Sequence, residues 1–261
     1  MARAKRHYIP GQVWHLTHRC HKQEFLLRFS KDRRRWIEWL FQAKKRYGLR
    51  ILNYIVTSNH IHLLVVDDGG RDAIPNSVKL IAGRTGQEYN YRKNRKGAFW
   101  EDRYHATAVQ KDIHLIRCLI YIDLNIVRAG AVKELSEQSF SRYNEIREPR
   151  KRYGLIDHRT LMKLLNISSH EKLKESHCKW IMESLKENAF KRENKWTKSI
   201  AVGDKQFVEK IKKQLGFRSK GRKQITNDDG VYLLREQQTR YGNAEKSDIN
   251  PDNTFPWNIN R

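Results

Sequence analysis

A chain of 261 residues with 53 Lys+Arg against 29 Asp+Glu carries a formal net charge of +24, an excess that selects for a polyanionic partner, most simply nucleic acid, and says nothing about fold. No apolar run approaches the roughly 18 residues of a membrane-spanning helix, and no apolar segment follows the basic Met-Ala-Arg-Ala-Lys-Arg start to make a secretion signal. Cys20, Cys118 and Cys178 are odd in number and form no C-x-x-C pair, which excludes a disulfide framework and a zinc ribbon and fits a reducing cytoplasm.

In chain order, the Pro10-Gly11 turn leads into a strand over 12–18. Ser30 to Tyr47 reads as a helix, with Ser30 as its cap, Trp36, Leu40 and Ala43 at helical spacing, and Gly48 as its stop. Residues 52–66, LNYIVTSNHIHLLVV, read as two strands joined at Thr57-Ser58-Asn59. Asp67-Asp68-Gly69-Gly70 is a turn, and a second helix runs from 75 to about 92 with Val78, Ile81 and Ala82 as its apolar stripe. A strand over 103–109 and a helix from 112 to about 127 complete the order β-α-β-β-α-β-α. That split pattern predicts an α+β fold: a ferredoxin-like antiparallel sheet with helices on one side. Beyond the polar stretch 131–153, three helical segments over 157–165, 170–187 and 204–215 predict a small helical region. From Phe217 the chain is basic, then rich in Asn and Asp, and is expected to be largely disordered.

His60 and His62 fall on one face of the second hairpin strand, with Cα atoms about 7 Å apart, close enough for both imidazoles to hold one metal ion. Ile61, Leu63 and Val65 turn to the other face. The His-x-His pair is weak by itself: 11 His in 261 residues make about half an occurrence expected from composition. Its setting on an apolar strand just after a turn strengthens it. On the last helix, His114, Cys118, Tyr121 and Asn125 form one stripe, and Leu115, Leu119, Ile122 and Ile126 form an adjacent apolar stripe that docks the helix on the sheet. So docked, Tyr121 and Asn125 face the His60–His62 surface. An ordinary buried phenol is the alternative for Tyr121, and a helix C-terminal role is the alternative for Asn125. His15, His18, Cys20 and His21 suggest zinc, but strand alternation separates His15 from His18. His105, alternating with Tyr104, is expected to serve structure.

Taken together, the blocks Thr57-Ser58-Asn59-His60-Ile61-His62-Leu63-Leu64, Phe99-Trp100-Glu101-Asp102-Arg103-Tyr104 and Tyr121-Ile122-Asp123-Leu124-Asn125 through Gly130 resemble the HUH single-tyrosine transposase family. The opening Tyr8-Ile9-Pro10-Gly11 through Cys20 fits as well, so the resemblance covers about residues 5–145. The chain's length favours the branch called REP-associated tyrosine transposases. Two departures are Thr57-Ser58, where members often carry Met-Pro, and Asn125-Ile126-Val127, where they often carry Asn-Pro-Val. The resemblance implies that Tyr121 attacks single-stranded DNA to leave a 5′-phosphotyrosine and a free 3′-OH, storing the bond so that strands rejoin without ATP. A free tyrosine hydroxyl titrates at about pH 10, so the site must favour its ionised form. His60 and His62, with Asn125 as third ligand, are implied to hold Mg²⁺ or Mn²⁺.

Arg33, Arg34 and Arg35 cluster at a helix start, where positive charge gains nothing from the helix dipole and a phosphate partner gives it a reason. Arg92, Lys93, Arg95 and Lys96, with Trp100 and Arg103 beyond them, mix cations with aromatics as expected for gripping and stacking single-stranded DNA. Lys220-Gly221-Arg222-Lys223 reads as a flexible phosphate arm. The expected organisation is a catalytic domain over 1–145, a helical extension over 146–216 that serves target recognition, and a basic then polar tail over 217–261. The expected function is a cytoplasmic, metal-dependent strand transferase acting on single-stranded or hairpin DNA, as a monomer or homodimer. An HUH nuclease of replication or conjugation is the nearest alternative, and a non-cleaving DNA- or RNA-binding module on the same fold is the alternative from another class.

Overall fold

The computed structural model describes residues 8–67, 72–125, 145–146, 148–149, 152–186, 193–227 and 229–236. Among these residues, seven strands make one sheet: β1 (Val13–Arg19), β2 (Arg50–Val56), β3 (His60–Val66), β4 (His105–Val109), β5 (Ala201–Gly203), β6 (Arg222–Thr226) and β7 (Tyr232–Glu236). Their spatial order is β2-β3-β1-β4-β5-β7-β6. All neighbours pair antiparallel except β4 and β5, which run parallel through Ala108↔Ala201 and Val109↔Val202.

The helices are α1 (Ser30–Tyr47), α2 (Ala73–Arg92), α3 (Ile113–Asp123), α4 (His158–Leu165), α5 (His170–Lys186), the single turn α6 (Lys195–Lys198) and α7 (Lys205–Leu215). α1 has the expected bounds, and Gly48 ends it in the left-handed conformation, φ 68°, that glycine adopts without steric cost. Ser30 is not its cap: Phe29 holds that position, and the Ser30 hydroxyl accepts from Arg34 instead. Asp157 and Asp204 do cap α4 and α7, accepting from the backbone N–H of Thr160 and Phe207.

The α+β class and the antiparallel core of the sheet are as expected, but the helices lie on both faces. Leu16, Ile61 and Leu63 meet Trp36 of α1 and Val78 and Ile81 of α2 on one side. On the other, Asn53 donates to Leu119 O and Asp123 Oδ1 of α3. The reason is legible in burial: nearly every residue of β2 and β3 is covered, so each strand needs a layer on both sides.

The chain after residue 152 adds to this sheet across the expected boundary at 145. Ile156 bridges to Ile51 at the β2 edge, and Asp157 N donates to Ile51 O. Strands β6 and β7 form within the stretch expected to be a disordered tail, because Ile225↔Leu233 and Gln224↔Leu234 pairing buries Leu233 and Leu234 against the core. The Asp68-Gly69-Gly70 part of the first turn, residues 126–144 and residues 237–261 lie outside the described residues.

Candidate active site

Alternation along the strands sorts the chemistry. The registers Arg19↔His60, Thr17↔His62, His15↔Thr107 and Thr17↔His105 put these side chains on the face beneath α3. The β2–β3 turn that presents His60 is closed by Thr57: its N–H and hydroxyl both donate to His60 O, at 3.0 and 2.8 Å. In return the hydroxyl accepts from His60 N at 3.1 Å. Thr57 thus does useful work at the position where the sequence departs from its resemblance.

The protons of the imidazoles are fixed by what surrounds them. His15 is buried, and its Nδ1 donates to the Trp196 carbonyl at 3.1 Å. Burial, opposed by that carbonyl and helped by nearby His105, pulls His15 down to about 3, so the ring is neutral at pH 7 with a bare Nε2. That nitrogen accepts from His62 Nδ1 at 2.9 Å, with the two rings within 8° of parallel. His62 in its neutral form therefore carries its lone pair on Nε2, toward Asn125. His60 Nδ1 lies 2.7 Å from Asn59 Oδ1 and 2.9 Å from the Thr57 hydroxyl; in the form that donates to Asn59, Nε2 carries the lone pair.

Asn125 joins the two. Its Oδ1 lies 3.1 Å from His60 Nε2 and its Nδ2 lies 3.0 Å from His62 Nε2. In the Nδ1–H form of His60, both Nε2 atoms turn a lone pair toward the one amide, and the two nitrogens with the amide oxygen would together offer a cation three neutral donors. The donor set therefore fits a divalent ion. Among the residues that suggested zinc, His15 and His18 are committed to different partners, His15 bonding His62 on the face beneath α3. His18 instead stacks on Trp100 at 4.1 Å and donates to Asp102 O.

Tyr121 is buried at 2% exposure, with its ring 5.6 Å from His62, 6.1 Å from His15 and 6.0 Å from Trp196. Tyr121, His60, His62 and Asn125 line one cleft of about 720 Å³, whose walls include Arg19, Arg103, Asn194, Thr197 and Lys198.

Of the basic residues proposed for DNA, only Arg103 borders this cleft. Arg33 donates to Leu27 O and Arg28 O, closing the loop before α1, and burial lowers its affinity for a proton despite Asp32 nearby. Arg35 makes a two-pronged pair with Glu88 and also bonds Glu38, which raises its pKa and ties α1 to α2. Arg92 pairs with buried Asp32, and Arg95 bonds Asn90, Ala98 O and Glu24. Trp100 donates to Ala82 O and lies against His18, so it is built into the α2 contact. Arg34 and Lys96 are exposed, and Lys93 lies over the Phe29 ring. Sequence reasoning missed Trp196, Asn194, Thr197 and Lys198, and it set His15 aside. The signal available for His15 was its place in a strand whose alternation puts it beside the His60–His62 face.

Residues 11–125 match the model of the family described as IS200-like transposases. No curated protein matches the chain. Among solved structures, one described as a REP-associated tyrosine transposase bound to a REP hairpin is similar at 21% identity and a TM-score of 0.46, covering 56% of this chain and 84% of that one. A crystal structure of a protein from Deinococcus radiodurans R1 named as a transposase is similar at 18% identity and a TM-score of 0.33, covering 42% of this chain and 87% of that one.

Proposed function

Residues 11–125 match the IS200-like transposase model, and we propose that the chain is a member of that family that cuts and rejoins single-stranded DNA through a covalent tyrosine intermediate, at hairpin-forming repeats of the REP-associated type. The observation that carries this reading is the convergence of Tyr121 with His60, His62 and Asn125 in one cleft. Tyr121 Oη attacks the scissile phosphorus and forms a P–O bond while the P–O3′ bond breaks. The phenol loses its proton and the departing 3′-oxygen gains one. The product is a 5′-phosphotyrosine with a free 3′-OH, whose attack on the same phosphorus reverses the step and rejoins a strand.

His60, His62 and the Asn125 oxygen would hold Mg²⁺ or Mn²⁺ in this reading, and such an ion would supply positive charge to the scissile phosphate. Arg103, Arg19 and Lys198 at the cleft walls position the backbone on either side of that phosphate. Arg34, Lys93 and Lys96 serve as outer contacts, whereas Arg33, Arg35, Arg92, Arg95 and Trp100 hold the fold. No helix among the described residues is long and apolar enough to cross a membrane, and the proposed setting is the cytoplasm, with the protein acting as a monomer or homodimer.

The test is a denaturing gel. Labelled single-stranded hairpin DNA from the gene's flanks is incubated with the protein and Mg²⁺ or Mn²⁺, alongside Tyr121→Phe. A covalent adduct in the wild type and none in the variant is the expected outcome. Tight binding without adduct or cleavage in either ion, across a panel of flanking hairpins, supports the non-cleaving binding module instead.

A further inference from the structure

The segment that follows α5 lies behind the site rather than apart from it. Trp196 is wholly buried, and its carbonyl receives the Nδ1 proton of His15. The position of that carbonyl is itself held from the sheet. Thr107 Oγ1 lies 2.6 Å from Ser199 O and 3.2 Å from Trp196 O, His105 Nε2 donates to Ser199 O at 2.8 Å, and the backbone of Ile200 accepts from Ala108 N at 2.8 Å. A carbonyl only accepts, so it dictates which nitrogen of His15 bears hydrogen, and His15 in turn dictates which nitrogen of His62 does.

We infer that His15 is a positioning residue: a chain from the Trp196 carbonyl through His15 to His62 Nδ1 keeps His62 Nε2 bare and aimed at Asn125, so that the turn after α5 loads the metal centre. The inference rests on the metal reading proposed above. It assigns residues 193–203 a part in the chemistry, beyond any part in choosing targets. The chemistry agrees with how imidazole ligands are tuned in general: the nitrogen away from the metal donates to a fixed acceptor, which sets the tautomer and ring orientation, and loss of that acceptor costs about 10–100-fold in metal affinity. Here the acceptor is another imidazole, anchored in its turn by a backbone carbonyl that no side-chain substitution can remove.

The test uses the full chain and Mn²⁺ alone, with the dissociation constant read by electron paramagnetic resonance of the free ion. His15→Leu removes both hydrogen bonds. His15→Gln keeps a donor for Trp196 O and an acceptor for His62 Nδ1–H. The expected result is a weakening of about 10–100-fold in His15→Leu and near-wild-type affinity in His15→Gln. Equal affinity in wild type and His15→Leu overturns the inference. So does equal weakening in both variants, which assigns His15 to packing alone. If wild type itself binds no Mn²⁺, the metal reading fails and this one with it, a result distinct from the other two. Because His15→Leu takes a hydrogen-bond partner from two buried polar groups and can unfold the chain, a second readout uses the wild type alone: ¹⁵N-histidine spectra that report tautomers. The inference requires the Nδ1–H form at both His15 and His62, and an Nε2–H form at His62 overturns it.

Discussion

The two faces of the central strands do different jobs with the same backbone. One face, carrying Leu16, Ile61 and Leu63, is sealed by Trp36, Val78 and Ile81 and holds the fold by burial. The other, carrying His15, His62 and Thr107, is equally buried but polar, and these three groups each bond a partner. Burial alone therefore does not separate core from site; direction along the strand does. A polar group without water is tolerated only when a hydrogen bond replaces the lost solvation. The chemical face is thus as constrained as the apolar one, by a different term.

The sharpest way to break this comparison is to change neighbouring residues that point opposite ways. His62→Ala is expected to reduce strand cleavage to background, measured by adduct formation, because it removes both a proposed ligand and the end of the His15 chain. On the same face, the buried pair Asp123–His177, 2.8 Å apart, is supported by Asn53. Asp123→Ala takes the carboxylate away from the buried histidine and is expected to cost about 3–5 kcal/mol in chemical denaturation. Leu63→Ala, one residue from His62, is expected to lose about 2–5 kcal/mol and to leave cleavage per folded molecule unchanged. Loss of cleavage in folded Leu63→Ala would mean the faces are not separable. At the seam between β4 and β5, a Cβ added at Gly203 would lie 2.5 Å from both Gln110 Oε1 and Phe207, so Gly203→Ala is expected to cost about 1–3 kcal/mol in the same measurement.

The smallest effect is at the α7 cap. Asp204 accepts from Phe207 N at 2.7 Å and from Gln110, which hold its carboxyl below the usual 3.8. A depressed carboxyl contributes stability that is complete above its unfolded value and is lost as pH falls through the folded one. Asp204→Ala is expected to cost about 1 kcal/mol at neutral pH. The gap between variant and wild type should close below the ordinary carboxylate range, as followed by melting at stepped pH.

Much of the first 125 residues was legible because local signals agree with the global fold there. Gly48 stops α1, Trp36, Leu40 and Ala43 mark its buried stripe, and the Thr57–His60 turn fixes which face both histidines take. The His60–His62 face was read correctly as the one that α3 covers, but the helices were expected on one side only, although the near-continuous apolar runs of β2 and β3 already required cover on both faces. The later strands were illegible for a different reason. β5 is three residues long and is defined by its pairing with β4, and the exposed Arg222–Thr226 strand exists because β7 lies beside it. Short non-local pairing leaves no periodicity to read. For the cations, composition identified the charge but not its commitments: Arg35 and Glu88 were both visible, and only the α1–α2 packing brings them together.

The parallel pairing of β4 with β5 sets an order in time. His15 emerges early from the ribosome, while the carbonyl that fixes it belongs to Trp196, 181 residues later. At about 5–20 residues per second of synthesis, the histidines, Asn125 and Tyr121 exist for several seconds or more before that partner does. A nascent chain that already holds His15, His60, His62, Asn125 and Tyr121 therefore lacks the carbonyl that orders the first of them. On the proposed reading, the site is completed only after residue 196 has been made, well after the residues it would use.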